Sequence, residues 1–163
     1  MELVHGGDWA GYRAEFGRDA LDFSANVSPL GLPAGVAAAI TAALPMADRY
    51  PDPLCRALRT KLAAAEGVDT AQILCGNGAA DVLDRLAAVL KPRKVLLTAP
   101  TFAEYERTLS GAEIRVHNLR ETDGFALTER ILDEISPDLD AVYLCNPNNP
   151  TGRTAQPELL REI

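Results

Sequence analysis

The 163-residue chain is poor in the residues that build metal and thiol sites. It has three scattered cysteines, Cys55, Cys75 and Cys145, with no CxxC pair, and two histidines, His5 and His117. This inventory argues against a zinc centre and suits buried, reduced thiols in a cytoplasmic protein. No run of about 18 apolar residues is present, so no membrane span is expected. The start, MELVHGGDW, has neither the basic nor the apolar region of a secretory signal. Positive charge is also short: 16 Lys and Arg stand against 23 Asp and Glu, a net charge of −7. Nucleic acid and anionic membranes both demand a basic surface, so neither is expected as a partner. Internal repeats and low-complexity tracts are missing too.

What is present reads as a soluble α/β domain. Hydrophobic residues make up 47% and charged residues 24%, enough for one real core. Residues 1–31 read as an irregular arm beginning a small domain, and residues 32–163 as part of a larger one. Apolar spacing predicts helices over Pro33–Leu44, Pro53–Glu66, Ala79–Leu90, Thr101–Ser110 and Thr128–Ile135. Short strands are predicted at Gln72–Cys75, Lys94–Thr98, Glu113–Leu119 and Ala141–Cys145. The runs KVLLT and AVYLC are continuously apolar, as in parallel strands covered on both faces. Ile114 and Val116 alternate with polar residues, which places that strand nearer an edge. Alternation of strand and helix predicts a mainly parallel sheet flanked by helices.

Two connections are unusual. Gly76-Asn77-Gly78-Ala79 leads into a helix, which gathers unpaired N–H groups and the positive dipole end around one point. There Gly78, Ala79 and Ala80 could hold an anion; a glycine turn without a ligand is the alternative. A dinucleotide fingerprint is disfavoured, because Asp81 replaces its third glycine and Thr98-Ala99-Pro100 replaces its acidic residue. The second connection is Asn146-Pro147-Asn148-Asn149-Pro150-Thr151-Gly152, after the last strand. Beyond a strand's carboxyl end, an amide side chain can reach into a ligand crevice, and Asn-Pro bonds can adopt the cis form.

Together NPNNPTG, GNGA, PTFAEY and RYPDP resemble the fold-type I pyridoxal-phosphate family, class I/II aminotransferases. The likeness lies in the branch that includes histidinol-phosphate aminotransferase and L-threonine-O-3-phosphate decarboxylase. HGGDW and LDFSANVSPLG look more like the decarboxylase side, a lyase of cobalamin synthesis, than the histidine-synthesis side. The resemblance implies pyridoxal 5'-phosphate as cofactor and part of the family's large domain as the fold. By the same resemblance the Ala79 and Ala80 amides bind the cofactor phosphate, and Tyr105 stacks on its ring. Asn149 then donates to the phenolic oxygen, and Tyr50 crosses a homodimer interface to the partner's cofactor. Asn26 and Ser28 border the substrate, with Ser28 where the family commonly has asparagine. His5 could meet a substrate phosphate.

A family member also needs a Schiff-base lysine, a ring-nitrogen aspartate and a carboxylate-binding arginine, all after NPxNPTG. Only eleven residues follow Gly152 and none is lysine; Lys61, Lys91 and Lys94 read as surface residues. The expectation is therefore an amino-terminal fragment, inactive alone, of an enzyme acting on an amino-acid phosphate ester. Threonine-phosphate decarboxylation is the leading chemistry, and histidinol-phosphate transamination the alternative. A non-catalytic protein that binds phosphate or cofactor is a further alternative, and a nicotinamide oxidoreductase is the weakest.

Overall fold

A computed structural model describes residues 6–163. The chain forms two compact units, residues 1–57 and 58–163. In the first, helix α1 (Trp9–Phe16) starts at Asp8, whose carboxylate accepts the Gly11 N–H at 2.9 Å. It ends at Gly17 in the left-handed conformation, where a residue without Cβ is favoured. Helix α2 (Ala34–Ala43) follows Pro33 and tightens into a 3-10 turn at Leu44–Met46. Neither helix buries a residue, and Ile40, Leu44 and Tyr50 are exposed.

Helix α3 (Arg56–Glu66) begins three residues after the expected Pro53. The Asp52 carboxylate accepts the Leu54 and Arg56 N–H groups at 3.1 and 2.7 Å, so a turn occupies the place of the first helical residues.

The second unit is built on a three-stranded parallel sheet. Its strands are β1 (Lys94–Ala99), β2 (Glu113–Asn118) and β3 (Ala141–Tyr143), in the order β2-β1-β3. Val95 pairs with Ile114 on one side and with Ala141 on the other. Side chains alternate across β1, so two cores form. On one face Val95 and Leu97 bury against Leu109 and Tyr143, joined by Leu83 and Ala87 of helix α4 (Gly78–Leu90). Tyr105, from the short helix α5 (Glu104–Thr108), packs on the same cluster. On the other face Leu96 buries against Ile131 and against Leu159 of helix α6 (Pro157–Glu162). Each such aliphatic burial contributes roughly 2 kcal/mol. The central β1 is buried as KVLLT suggested, and β2 lies at the edge as expected, but its buried residue is His117 while Val116 is exposed, the reverse of what its alternation suggested.

Four further expected elements differ. Gln72–Cys75 is not a strand: Asp69 and Gln72 close a capping box around the 3-10 turn Thr70–Gln72. Ile73 keeps extended backbone angles (φ −106°, ψ 122°), but Ile73–Cys75 have no strand beside them among the described residues, so no ladder forms. Thr128–Ile135 is a 3-10 segment over Glu129–Glu134 rather than an α-helix; it still buries Ile131. β3 ends at Tyr143 instead of Cys145, because its pairing with β1 stops at the Leu97 and Tyr143 pair; the chain bends at Asn146-Pro147. Helix α5 is likewise shorter than Thr101–Ser110, the Phe102 carbonyl accepting the Tyr105 N–H in the turn before it. Among the described residues no helix is long and apolar enough to cross a membrane.

Candidate functional site

The first part of the site is the amino end of α4. Gly78 has φ +79°, a left-handed value that lets the chain turn sharply into the helix. Among the described residues the Ala79 and Ala80 N–H groups have no hydrogen-bond partner. A Cβ built on Gly78 would meet nothing within 4 Å, so the cup is open on that side. Free amides, a helix dipole and open space suit a phosphate. The strand expected before this cup is absent, but the helix that supplies the donors is present.

Asp81 was read in the sequence only as the residue that spoils a dinucleotide fingerprint. In the structure its Oδ2 accepts the Asn77 N–H at 2.8 Å. Arg85 pairs with both oxygens, Nε to Oδ1 at 2.8 Å and Nη2 to Oδ2 at 2.9 Å. The Asn77 N–H, and then Arg85, hold the Asp81 carboxyl below its ordinary range.

The second part lies beyond the carboxyl ends of β1 and β3. Tyr105 is half-buried, with its ring 5.5 Å from Tyr143 and 5.7 Å from Phe102, both edge-on. Its hydroxyl donates to the Leu144 carbonyl at 3.5 Å. Burial, then the neighbouring Cys145, pushes the phenol up to about 12. In Asn146–Gly152 both Asn-Pro bonds are cis, as is Ala99-Pro100. Asn149 is half-buried; its backbone N–H donates to Cys145 Sγ at 3.4 Å, and its side chain makes no hydrogen bond among the described residues. The buried amide is Asn148, which donates to the Pro100 carbonyl and the Thr151 hydroxyl. Asn146 in turn accepts the Ala155 N–H at 3.0 Å.

Thus Tyr105 and the Asn146–Gly152 loop are brought together through Leu144 and Cys145, and α4 shares its core cluster with Tyr105. Asn26, Ser28 and Tyr50 belong to the first unit and are exposed. The Ser28 hydroxyl accepts the Leu30 N–H at 3.3 Å, closing its own turn. His5 lies outside the described residues. Lys94 sits at the amino end of β1, away from these loops, with Nζ 2.8 Å from Asp138. Lys61 and Lys91 are exposed on α3 and at the end of α4. Sequence reasoning missed Asn148, Asp81 and Arg85; only the Asp81–Arg85 spacing of one helical turn signalled a pair.

The family model for aminotransferase class I and II matches residues 18–163. The chain belongs to this family. Threonine-phosphate decarboxylase of Salmonella typhimurium (strain LT2) is 46% identical over 145 residues, 88% of this chain and 40% of that protein. Histidinol-phosphate aminotransferase of Rubrobacter xylanophilus is 41% identical over 118 residues, 71% of this chain and 34% of its own. Among solved structures, histidinol-phosphate aminotransferase from Sinorhizobium meliloti in complex with pyridoxal-5'-phosphate aligns with a TM-score of 0.75. It is 21% identical and covers 92% of this chain and 41% of that one, which shows the shared fold. This aminotransferase-family chain therefore spans two fifths or less of the length of the curated relatives named above.

Proposed function

We propose that these residues form the cofactor-phosphate-binding part of a pyridoxal-phosphate enzyme acting on an amino-acid phosphate ester. The observation that carries this reading is the pair of amides, Ala79 and Ala80, unpartnered among the described residues at the dipole end of α4. When bound, pyridoxal phosphate supplies an electron sink for breaking a bond at the substrate's Cα. The chain's own task is to hold and orient. The Ala79 and Ala80 N–H groups would grip the phosphate, with Gly78 leaving room for it. The Tyr105 ring would cover the pyridine face and exclude water. The Asn149 side-chain amide, which makes no hydrogen bond among the described residues, would donate to the phenolic oxygen. Tyr50 of a second copy would reach the phosphate in a homodimer, while Asn26, Ser28 and His5 would border the substrate. A cytoplasmic setting fits such an enzyme.

Threonine-phosphate decarboxylation is the favoured chemistry, supported by the 46% identity to the Salmonella decarboxylase. Histidinol-phosphate transamination is the second reading, supported by the 41% identity to the Rubrobacter enzyme. Cofactor binding is tested by titrating the chain with pyridoxal phosphate and competing with inorganic phosphate. Saturable binding that phosphate displaces is expected, and its absence would sink the reading. The chemistries separate when a polypeptide of the relatives' full length meets threonine phosphate, or histidinol phosphate with 2-oxoglutarate. Aminopropanol phosphate from the first mixture supports decarboxylation; imidazole-acetol phosphate from the second supports transamination.

A further inference from the structure

Asp81 stands in the first turn of α4, where a carboxylate suits the helix dipole but would repel a bound phosphate. Its bond to the Asn77 N–H folds it back over the turn. Gly76 permits this, because a Cβ there would lie 2.7 Å from Asp81 Oδ2. Arg85, one turn later, then meets both carboxylate oxygens in a two-point pairing. The pair is fixed at one end by the backbone of the cup itself.

We propose that Asp81 and Arg85 are positioning residues of the anion cup. Asp81 orders the Gly76–Gly78 turn, and Arg85 cancels its charge so that the Ala79 and Ala80 amides still attract a phosphate. The inference rests on the phosphate-binding reading above. It differs from a purely structural role because the Arg85 contribution is electrostatic and therefore sensitive to salt.

The test measures binding of inorganic phosphate, and separately of pyridoxal phosphate, to the full chain by titration calorimetry. At about 0.01 M salt, Arg85→Gln should weaken phosphate binding roughly three- to tenfold, since it leaves the Asp81 charge uncompensated beside the cup. Adding Asp81→Asn, which keeps an oxygen for the Asn77 N–H, should restore affinity to within about twofold. Near 1 M salt, where charges are screened beyond about 3 Å, the Arg85→Gln defect should shrink. A defect that persists at high salt and in the double variant would assign the pair a merely structural role and overturn the proposal. Equal binding by Arg85→Gln and the unaltered chain would overturn it alone. If the unaltered chain binds neither probe, the phosphate reading falls first and the proposal with it.

Discussion

The Asn148 side chain donates to the Pro100 carbonyl at 3.1 Å, which ties the loop after β3 to the loop after β1. Its second proton goes to the Thr151 hydroxyl at 2.9 Å, and its backbone N–H to the Arg153 carbonyl at 2.7 Å. The residue is buried, so the tie is shielded from competing water.

Asn148→Ala should therefore be costly. It deletes both side-chain bonds and strands the Pro100 carbonyl, which together cost about 2 to 3 kcal/mol. The expected outcome is a clear fall in the urea midpoint with an unchanged slope. A midpoint equal to that of the unaltered chain would refute the tie.

Gly76→Ala probes the cup from its other wall. The new methyl would lie 2.7 Å from Asp81 Oδ2 and 2.9 Å from Val82 Cγ2, closer than real Cβ contacts come. Asp81 must leave the Asn77 N–H, and the turn loses its brace. Phosphate affinity should drop, together with about 1 kcal/mol of stability. Phosphate titration beside urea unfolding checks both, and a variant with unaltered affinity would show that the brace is dispensable.

What the sequence made legible followed burial. Val95, Leu96 and Leu97 formed a continuous apolar run because both faces of β1 are covered; in β2, at the edge, the alternation did not mark the buried face, since His117 is buried and Val116 is exposed. Ile73–Cys75 was misread because a strand depends on a neighbour that local apolarity does not specify. The segment after Thr128 was misread because Ile131 and Leu132 bury equally well from a 3-10 turn. Within Asn146-Pro147-Asn148-Asn149 chemistry alone does not separate the amides. Which one turns inward is decided by the Pro100 carbonyl across the sheet, 48 residues away. Asp81 looked like a missing glycine because its partners, Asn77 N–H and Arg85 guanidinium, emerge only once the helix is formed.

Acid should weaken the second unit through Asp138. Hydrogen bonds from Lys94 and Ser136, with Arg115 nearby, hold its carboxyl well below the usual range. Asp140 is lowered too, by the Arg93 and Lys94 N–H groups. Both are carboxylates with a depressed folded value, so their stabilisation is complete above the unfolded value of about 3.9. It is lost as pH falls from there toward the folded values. Asp138→Asn should lower the urea midpoint at neutral pH and flatten its decline below about pH 4. An acid limb of the same steepness in the variant would assign the loss to other groups.

Tyr105 should act at the opposite end of the pH scale. Burial disfavours the phenolate, and the folded value stands at about 12 against an unfolded value of about 10. For a raised group the stabilisation is complete below the unfolded value and drains away as pH rises through the folded one. Tyr105→Phe keeps the ring against Tyr143 and gives up the hydroxyl's long bond to the Leu144 carbonyl and its contact with Cys145. Its stability near pH 7 should fall by no more than about 1 to 2 kcal/mol, and its alkaline decline should be shallower. Tyr105→Ala removes the ring from the cluster of Val95, Leu97 and Leu109 and should cost about 2 to 3 kcal/mol at every pH below about 10. If the ring also covers a bound pyridine, Tyr105→Ala weakens pyridoxal-phosphate binding more than inorganic-phosphate binding, while Tyr105→Phe weakens neither strongly. Equal losses for the two ligands would leave Tyr105 a core residue only, with the face of the ring held by some other group.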